Sequence, residues 1–288
     1  MKNVVTRALT GLLYVAVIVA AIFCGRFWFW LLTLLLGVLG VNEFNRITNR
    51  DHQSNAIQLL DILGAIIVIS AGSVLCVNCD IAGFIGTWRL DTFVFAYIVY
   101  LLARLVAQLY IQDGNALDHF AHSFMGQIYV ALPLCLLAWV YNLSNHVFVL
   151  AVFVLIWLND TGAFCVGSLF GRHRLFERIS PKKSWEGFFG GLIFCLVAAA
   201  ILKTCFGEYF PGMGMLLMLG LGAVVSVFGT WGDLVESLIK RTLGVKDSGN
   251  VLPGHGGILD RIDSLLLVIP AVLAYMLMTG VWQIAMKG

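Results

Sequence analysis

The chain has 288 residues, 60% of them hydrophobic and 12% charged, with a mean hydropathy of +0.92 and a formal net charge of +2. Soluble domains carry roughly one-quarter charged residues, so this chain cannot cover itself with a polar surface and belongs in a bilayer. No basic groove stands outside the apolar runs, so nucleic acid is not an expected partner.

Backbone groups in lipid must be satisfied within the segment, so each apolar run is read as a helix. The runs are Val4–Cys24, Phe27–Val41, Leu60–Val77, Thr92–Ile111, Phe124–Tyr141, Val147–Phe170, Gly187–Phe206, Met213–Trp231 and Ser264–Met286. The first resembles a signal peptide, but it is long and lacks a convincing cleavage site, so it is read as a retained span. The second is short: 15 residues rise about 22 Å against a hydrocarbon core of roughly 30 Å. The expected fold is all-α: one polytopic transmembrane domain over 1–288 with about nine helices. Residues 1–141 are its N-terminal helices, a scaffold, and 147–288 the half that carries most of the charged motifs.

Lysine and arginine counts orient the spans. With the N-terminus in the cytoplasm, 13 basic residues fall on the cytoplasmic side and four on the other, with Arg104 inside a span. The last two cytoplasmic connections then carry most of the chemistry. Seven cysteines lie mostly in apolar runs, where a thiol behaves as a small hydrophobe. Cys76 and Cys79 alone have metal or redox spacing, and no second pair or nearby histidine supports a site there. His52, His119, His122 and His146 read as solvated loop residues, and Asp61 as an interfacial one.

Within the sixth run, Asn159-Asp160-Thr161-Gly162 breaks the apolar pattern. A carboxylate at membrane depth costs at least about 2.5–3.5 kcal/mol, so Asp160 is a functional candidate, with pairing to Arg104 as the structural alternative. Next comes GRHRLFERISPKKSWEG, residues 171–187. Ser180-Pro181 reads as an N-cap and first helical residue, which would place Lys182, Lys183, Ser184 and Trp185 in a first turn suited to phosphate. The basic residues of this loop also fit plain interface anchoring.

The stretch Gly232–Ser264 concentrates five of the chain's 16 acidic residues. On a helix continuing from the eighth run, Asp233, Glu236, Ser237 and Lys240 share a face; Asp260 and Asp263 are again three apart. Between them lies Leu252-Pro253-Gly254-His255-Gly256-Gly257, whose glycines let backbone N–H groups approach an anion. Carboxylates from two elements with oxygen-only ligands suit Mg²⁺ together with substrate phosphates.

Residues 237–263 also carry Ser237-x-Ile239-Lys240-Arg241, Lys246-Asp247-x-Gly249, Leu252-Pro253-x-His255-Gly256-Gly257-Ile258 and Asp260-Arg261-Ile262-Asp263. This pattern resembles the signature of the phosphatidate cytidylyltransferases (CDP-diacylglycerol synthases). Asn159–Gly162 and Ser180–Gly187 are similar to that family too. The resemblance implies a homodimeric integral membrane enzyme, with 147–288 as its catalytic half and the dimer contacts expected in 1–141. The lysine and arginine count turns the active-site loops to the cytoplasm, hence an inner membrane. The enzyme would join CTP to phosphatidic acid with Mg²⁺, releasing pyrophosphate. The resemblance also implies that Asp233 and Asp260 bind the metal, with Glu236 and Asp263 as further candidate ligands and a second cation left open. Lys182, Lys183, Lys240, Arg241, Lys246 and Arg261 are the candidate phosphate partners. Ser184, Ser237, His255, Gly256, Gly257 and Asp160 complete the nucleotide and head-group pocket. A nucleotide-dependent lipid kinase is the alternative within this chemistry, and a secondary transporter is the alternative from another class.

Overall fold

The computed structural model describes residues 2–49, 54–75, 89–112, 114–249, 251 and 256–281, with side chains from residue 9 onward. In chain order the helices are α1 (Lys2–Phe23), α2 (Arg26–Thr48), α3 (Asn55–Val74) and α4 (Leu90–Gln108). They continue with α5 (Ala116–Gly126), a π-helical turn (Gln127–Ala131), α6 (Leu132–Leu143) and α7 (His146–Phe170). A hairpin of β1 (Arg174–Phe176) and β2 (Ser180–Ser184) precedes α8 (Trp185–Cys205), α9 (Met215–Thr242) and α10 (Leu259–Thr279). Among the described residues, eight helical segments are long and apolar enough to cross a membrane, with α5 and α6 counted as one. The stretch Leu9–Phe23 of α1 adds a shorter apolar helix. The protein is an all-α polytopic membrane protein, and the hairpin is a small exception to its class.

The expected short second span is corrected. The helix α2 runs 23 residues to Thr48, past the apolar run and through Asn42, Glu43 and Asn45. Hydropathy ends at Val41, but the polar side chains that follow are accommodated inside the protein: Glu43 is 3% exposed and Asn45 2%.

The chain forms two compact units, Met1–Asn142 with Val245–Arg261, and Leu143–Gly244 with Ile262–Gly288. In the first, the ring of Phe29 stacks on Tyr141 at 4.1 Å, and the Tyr141 hydroxyl donates to the Ile22 carbonyl at 2.8 Å. Its polar centre is Asp61 with Arg104, both side chains fully buried and 3.6 Å apart. Asp61 accepts from Asn45 (3.1 Å), Tyr100 (3.1 Å) and Ser123 (2.8 Å). Arg104 donates to Ser123 (2.9 Å), Gln108 (3.1 Å) and the His119 carbonyl (3.2 Å). Buried charges persist when paired and saturated with hydrogen bonds, and this pair meets both conditions. Asp61 is therefore not interfacial, and Arg104 is the partner of Asp61. His119 is buried in α5, and His122 Nδ1 lies 3.0 Å from Asn49 Oδ1, so neither is a solvated loop residue. His52, Cys76 and Cys79 lie outside the described residues.

In the second unit, α7, α8 and α9 pack together through small residues, which let helix backbones approach closely in lipid. Gly191 shows the requirement: a Cβ there would lie 2.5 Å from Asn159 Oδ1 and 2.9 Å from the Asn159 carbonyl. Asn159 uses that oxygen to accept from Ser226 Oγ at 2.7 Å, so a polar residue inside the span is satisfied across helices. Outward-facing residues such as Phe164 and Leu216 are exposed in both apolar size and number, as a lipid-facing surface requires.

Candidate active site

The local structure before α8 differs from the sequence-based expectation. Ser180–Ser184 is a strand paired antiparallel to β1, with Arg174 opposite Ser184 and Phe176 opposite Ser180. The cap is Ser184, whose hydroxyl accepts from Gly187 N at 3.1 Å. Proline lacks a donor, but a two-stranded hairpin has an unpaired side on which Pro181 is tolerated. The hairpin's base is fixed by Trp185 N donating to the His173 carbonyl at 2.9 Å. The Glu186 carboxylate there accepts from Arg172 N (3.1 Å) and His173 N (3.2 Å), and lies 2.6 Å from His173 Nδ1.

Strand geometry separates two lysines expected to act together, because successive side chains point to opposite faces. Lys182 is exposed, whereas Lys183 turns inward and places Nζ 2.8 Å from Asp233 Oδ2 and 3.2 Å from the Thr230 carbonyl.

Asp233 sits near the end of α9, whose 28 residues rise about 42 Å against a hydrocarbon core of roughly 30 Å. The apolar run ends at Trp231 but the helix continues to Thr242, carrying the polar residues on one face. Asp233, Glu236 and Asp263 each offer a carboxylate oxygen, and these three lie within 4.8 Å of one another. Ser237 Oγ donates to Asp233 Oδ1 at 3.2 Å, and Lys240 Nζ lies 2.5 Å from Glu236 Oε2. Asp263 Oδ1 also accepts from Ser264 N at 2.7 Å. The approach of α10 to α9 is close here, since a Cβ on Gly232 would lie 2.6 Å from the Asp263 carbonyl.

Three carboxylates at this separation repel one another, and two ammonium groups partly neutralise them. An all-oxygen donor set of this kind fits a hard divalent cation that also takes substrate phosphates. Arg241 is exposed and directs Nε to the Ile179 carbonyl at 3.4 Å. Asp160 is exposed on α7, beside the buried Asn159.

In the first unit, Asp260 stands in the opening turn of α10. Its Oδ2 accepts from Gly257 N (2.8 Å), Ser248 N (3.0 Å) and Ser248 Oγ (3.0 Å). Gly256 has φ +82°, a left-handed conformation that suits glycine, and it directs the following amide to Asp260. Lys246 and Arg261 are exposed, and the Arg261 carbonyl accepts from Tyr14 at 3.2 Å. His255 lies outside the described residues.

One residue at this turn was not anticipated. Glu43, from α2, accepts from Ile258 N (3.0 Å), Leu259 N (2.9 Å) and Ser248 Oγ (3.2 Å). The signal available in the sequence was the polar run Asn42-Glu43-Phe44-Asn45 directly after an apolar span. Its partners lie more than 200 residues away, beyond the reach of any local pattern.

Residues 5–279 match the profile described as "Cytidylyltransferase family". The chain is 33% identical over 264 residues to the phosphatidate cytidylyltransferase of Staphylococcus saprophyticus, covering 92% of this chain and 95% of that one. It is 48% identical over 123 residues to the phosphatidate cytidylyltransferase of Staphylococcus aureus (strain COL), covering 43% of this chain and 46% of the other. The match to the Staphylococcus epidermidis protein of the same name has the same identity and extent. In these two matches the chain spans under half the length of the relative.

Proposed function

Since the chain belongs to the cytidylyltransferase family, we propose that it transfers the cytidylyl group of CTP to phosphatidate, forming CDP-diacylglycerol and releasing pyrophosphate. The observation that carries this reading is the Asp233, Glu236 and Asp263 cluster with Lys183 and Lys240 at its edge.

A phosphatidate oxygen is already anionic near neutral pH, so the attack on the α-phosphorus of CTP needs no strong base. The new bond joins that oxygen to the α-phosphorus, and the bond between the α-phosphorus and the oxygen bridging to the β-phosphorus breaks. The difficulty is holding two polyanions together and stabilising the leaving pyrophosphate, a matter of positioning and charge. Bound Mg²⁺ supplies charge neutralisation at the nucleotide phosphates. Asp233, Glu236 and Asp263 would offer it carboxylate oxygens in the second unit; Asp260, in the first unit, has a metal-ligand role by the family resemblance alone. Lys183 and Lys240 hold those carboxylates in place and are the nearest donors for phosphate oxygens. Lys182 and Arg241, exposed in the second unit, and Lys246 and Arg261, exposed in the first, are further donors for the phosphates of nucleotide and lipid. Ser237 orients Asp233, and Asp160 supports the polar face from α7. No covalent enzyme intermediate is invoked.

The same reading places the basic loops on the cytoplasmic side of an inner membrane, by the excess of lysine and arginine there, and takes the protein as a homodimer. The acyl chains of the lipid then remain between helices while the head group reaches the charged residues.

The test is a detergent-micelle assay with phosphatidic acid, CTP and Mg²⁺ that follows pyrophosphate and a CDP-lipid. Both products must appear only with all three components and fall on the order of a hundredfold or more with Asp233→Asn. CDP with a newly phosphorylated lipid alcohol would instead establish a kinase. A folded protein silent in both reactions would refute the enzyme reading and send it to a transport assay in proteoliposomes.

A further inference from the structure

We propose that Glu43 is a positioning residue for Asp260, holding that carboxylate in its metal-binding orientation through Ser248 and the N-terminus of α10. This inference rests on the function proposed above, in which Asp260 is a metal ligand. Glu43 belongs to α2, outside every motif read from the C-terminal half, and is 3% exposed. A buried carboxylate without partners is strongly unfavourable, and Glu43 has three donors, all from the segment that carries Asp260.

Two of those donors are the Ile258 and Leu259 amides, which open α10 and have no acceptor within the helix. A carboxylate at this end also meets the positive pole of the helix dipole. Glu43 therefore acts as an N-cap supplied by another helix, and it fixes where α10 begins and how its first turn is rotated. Asp260 is in that turn.

The third donor makes the link direct. Ser248 Oγ lies 3.2 Å from Glu43 Oε2 and 3.0 Å from Asp260 Oδ2. A hydroxyl has one hydrogen, so the two carboxylates compete for it and each feels the other's position. The backbone leaves no slack: a Cβ on Gly257 would meet both Ser248 Oγ and Glu43 Oε2, and one on Gly249 would lie 2.6 Å from Glu43 Oε1. Glu43, Ser248, Gly257 and Asp260 form one closed set of contacts.

Glutamine is the informative replacement. Glu43 uses both oxygens, Oε1 for Ile258 N and Oε2 for Leu259 N and Ser248 Oγ. Glutamine keeps one oxygen and turns the other into an NH₂, so a donor faces a donor whichever way the amide is placed.

The experiment measures Mn²⁺ binding to the purified full chain in detergent by electron paramagnetic resonance, without nucleotide, for the parent, Glu43→Gln, Ser248→Ala, the double variant and Asp260→Asn. Thermal unfolding is followed in parallel, and CMP transfer is assayed against Mg²⁺ concentration. Outer-shell partners of metal ligands are worth about 10- to 100-fold in metal affinity. We expect a loss of that size in Glu43→Gln and in Ser248→Ala, with the KM for Mg²⁺ rising in parallel. The double variant should lose little more than either single change, since both act on Asp260. Folded variants that bind Mn²⁺ like the parent overturn the inference, as does undiminished Mn²⁺ binding in Asp260→Asn. If Glu43→Gln does not fold, Ser248→Ala decides, because it leaves the two amide caps in place. A parent protein with no CMP transfer refutes the function itself; normal transfer with unaltered metal affinity in the variants refutes only the role of Glu43.

Discussion

Lys183 and Asp233 meet at 2.8 Å across two elements, a strand and a helix, with the lysine held a second time by the Thr230 carbonyl. Both side chains keep some access to solvent, at 24% for the lysine and 38% for the aspartate. An ammonium group thus occupies the edge of a carboxylate cluster that, in the proposed reaction, also receives a divalent cation. A divalent cation held by Asp233 would compete with the Lys183 ammonium for that carboxylate.

Lys183→Met separates these roles. A hydrogen bond to a charged group is worth about 1.5–3 kcal/mol, so kcat/KM for CTP should fall roughly 10- to 100-fold. Mn²⁺ affinity without nucleotide should rise, because the competing ammonium is gone. Nucleotide titrations and metal titrations on the same preparation check the two directions.

Asp233→Asn removes a charged ligand and keeps its volume. Turnover should drop on the order of a hundredfold or more, the scale at which electrostatic groups at a reacting centre act. The melting temperature should stay near that of the parent, since the side chain is partly exposed. A unimodal elution profile in detergent together with the assay distinguishes lost chemistry from lost fold.

The Asp61–Arg104 pair predicts a stability effect rather than a catalytic one. Removing one partner of a fully buried pair leaves an uncompensated charge and costs about 3–5 kcal/mol. Asp61→Ala should therefore unfold at a clearly lower temperature. Asp61→Leu combined with Arg104→Met should recover much of the loss. Thermal unfolding of the three proteins gives the comparison.

Gly191→Ala tests the α7–α8 contact. The added methyl would meet Asn159 Oδ1 at 2.5 Å and push on the oxygen that accepts from Ser226. Overpacking of this kind costs about 1–3 kcal/mol, read as a lower melting temperature. Ser226→Ala in the same background should cost less than it does alone, because the hydrogen bond it removes is already displaced.

Hydropathy made the helices and most of their order legible, because a bilayer demands long apolar runs and little else competes with that signal. It misjudged where α2 ends: Glu43 and Asn45 extend that helix, since partners inside the protein stabilise a polar turn that hydropathy assigns to a loop. The continuation of the eighth run past Trp231 was legible, because its polar residues keep helical spacing. The acidic face of Asp233, Glu236 and Ser237, with Lys240 on it, was legible from its helical spacing. The particular pairing of Lys183 was not, because Ser180-Pro181 imitates a helix start and the alternation of a strand decides which lysine turns inward. Asp61 and Glu43 were missed for one reason: a buried charge is defined by its partners, and theirs come from elements far along the chain.

The grouping of Val245–Arg261 with Met1–Asn142 bears on how the protein is made. Glu43 leaves the ribosome early, whereas Ser248, Ile258 and Leu259 follow 205 to 216 residues later. Throughout synthesis the end of α2 carries a carboxylate whose eventual donors do not yet exist, and it must stay hydrated until they arrive. Helices can insert one by one, but this turn can set only when nearly the whole chain has emerged. A chain truncated before Ser248 would keep that charge unmatched at the end of an apolar helix, a feature by which membrane quality control could tell it from the finished protein.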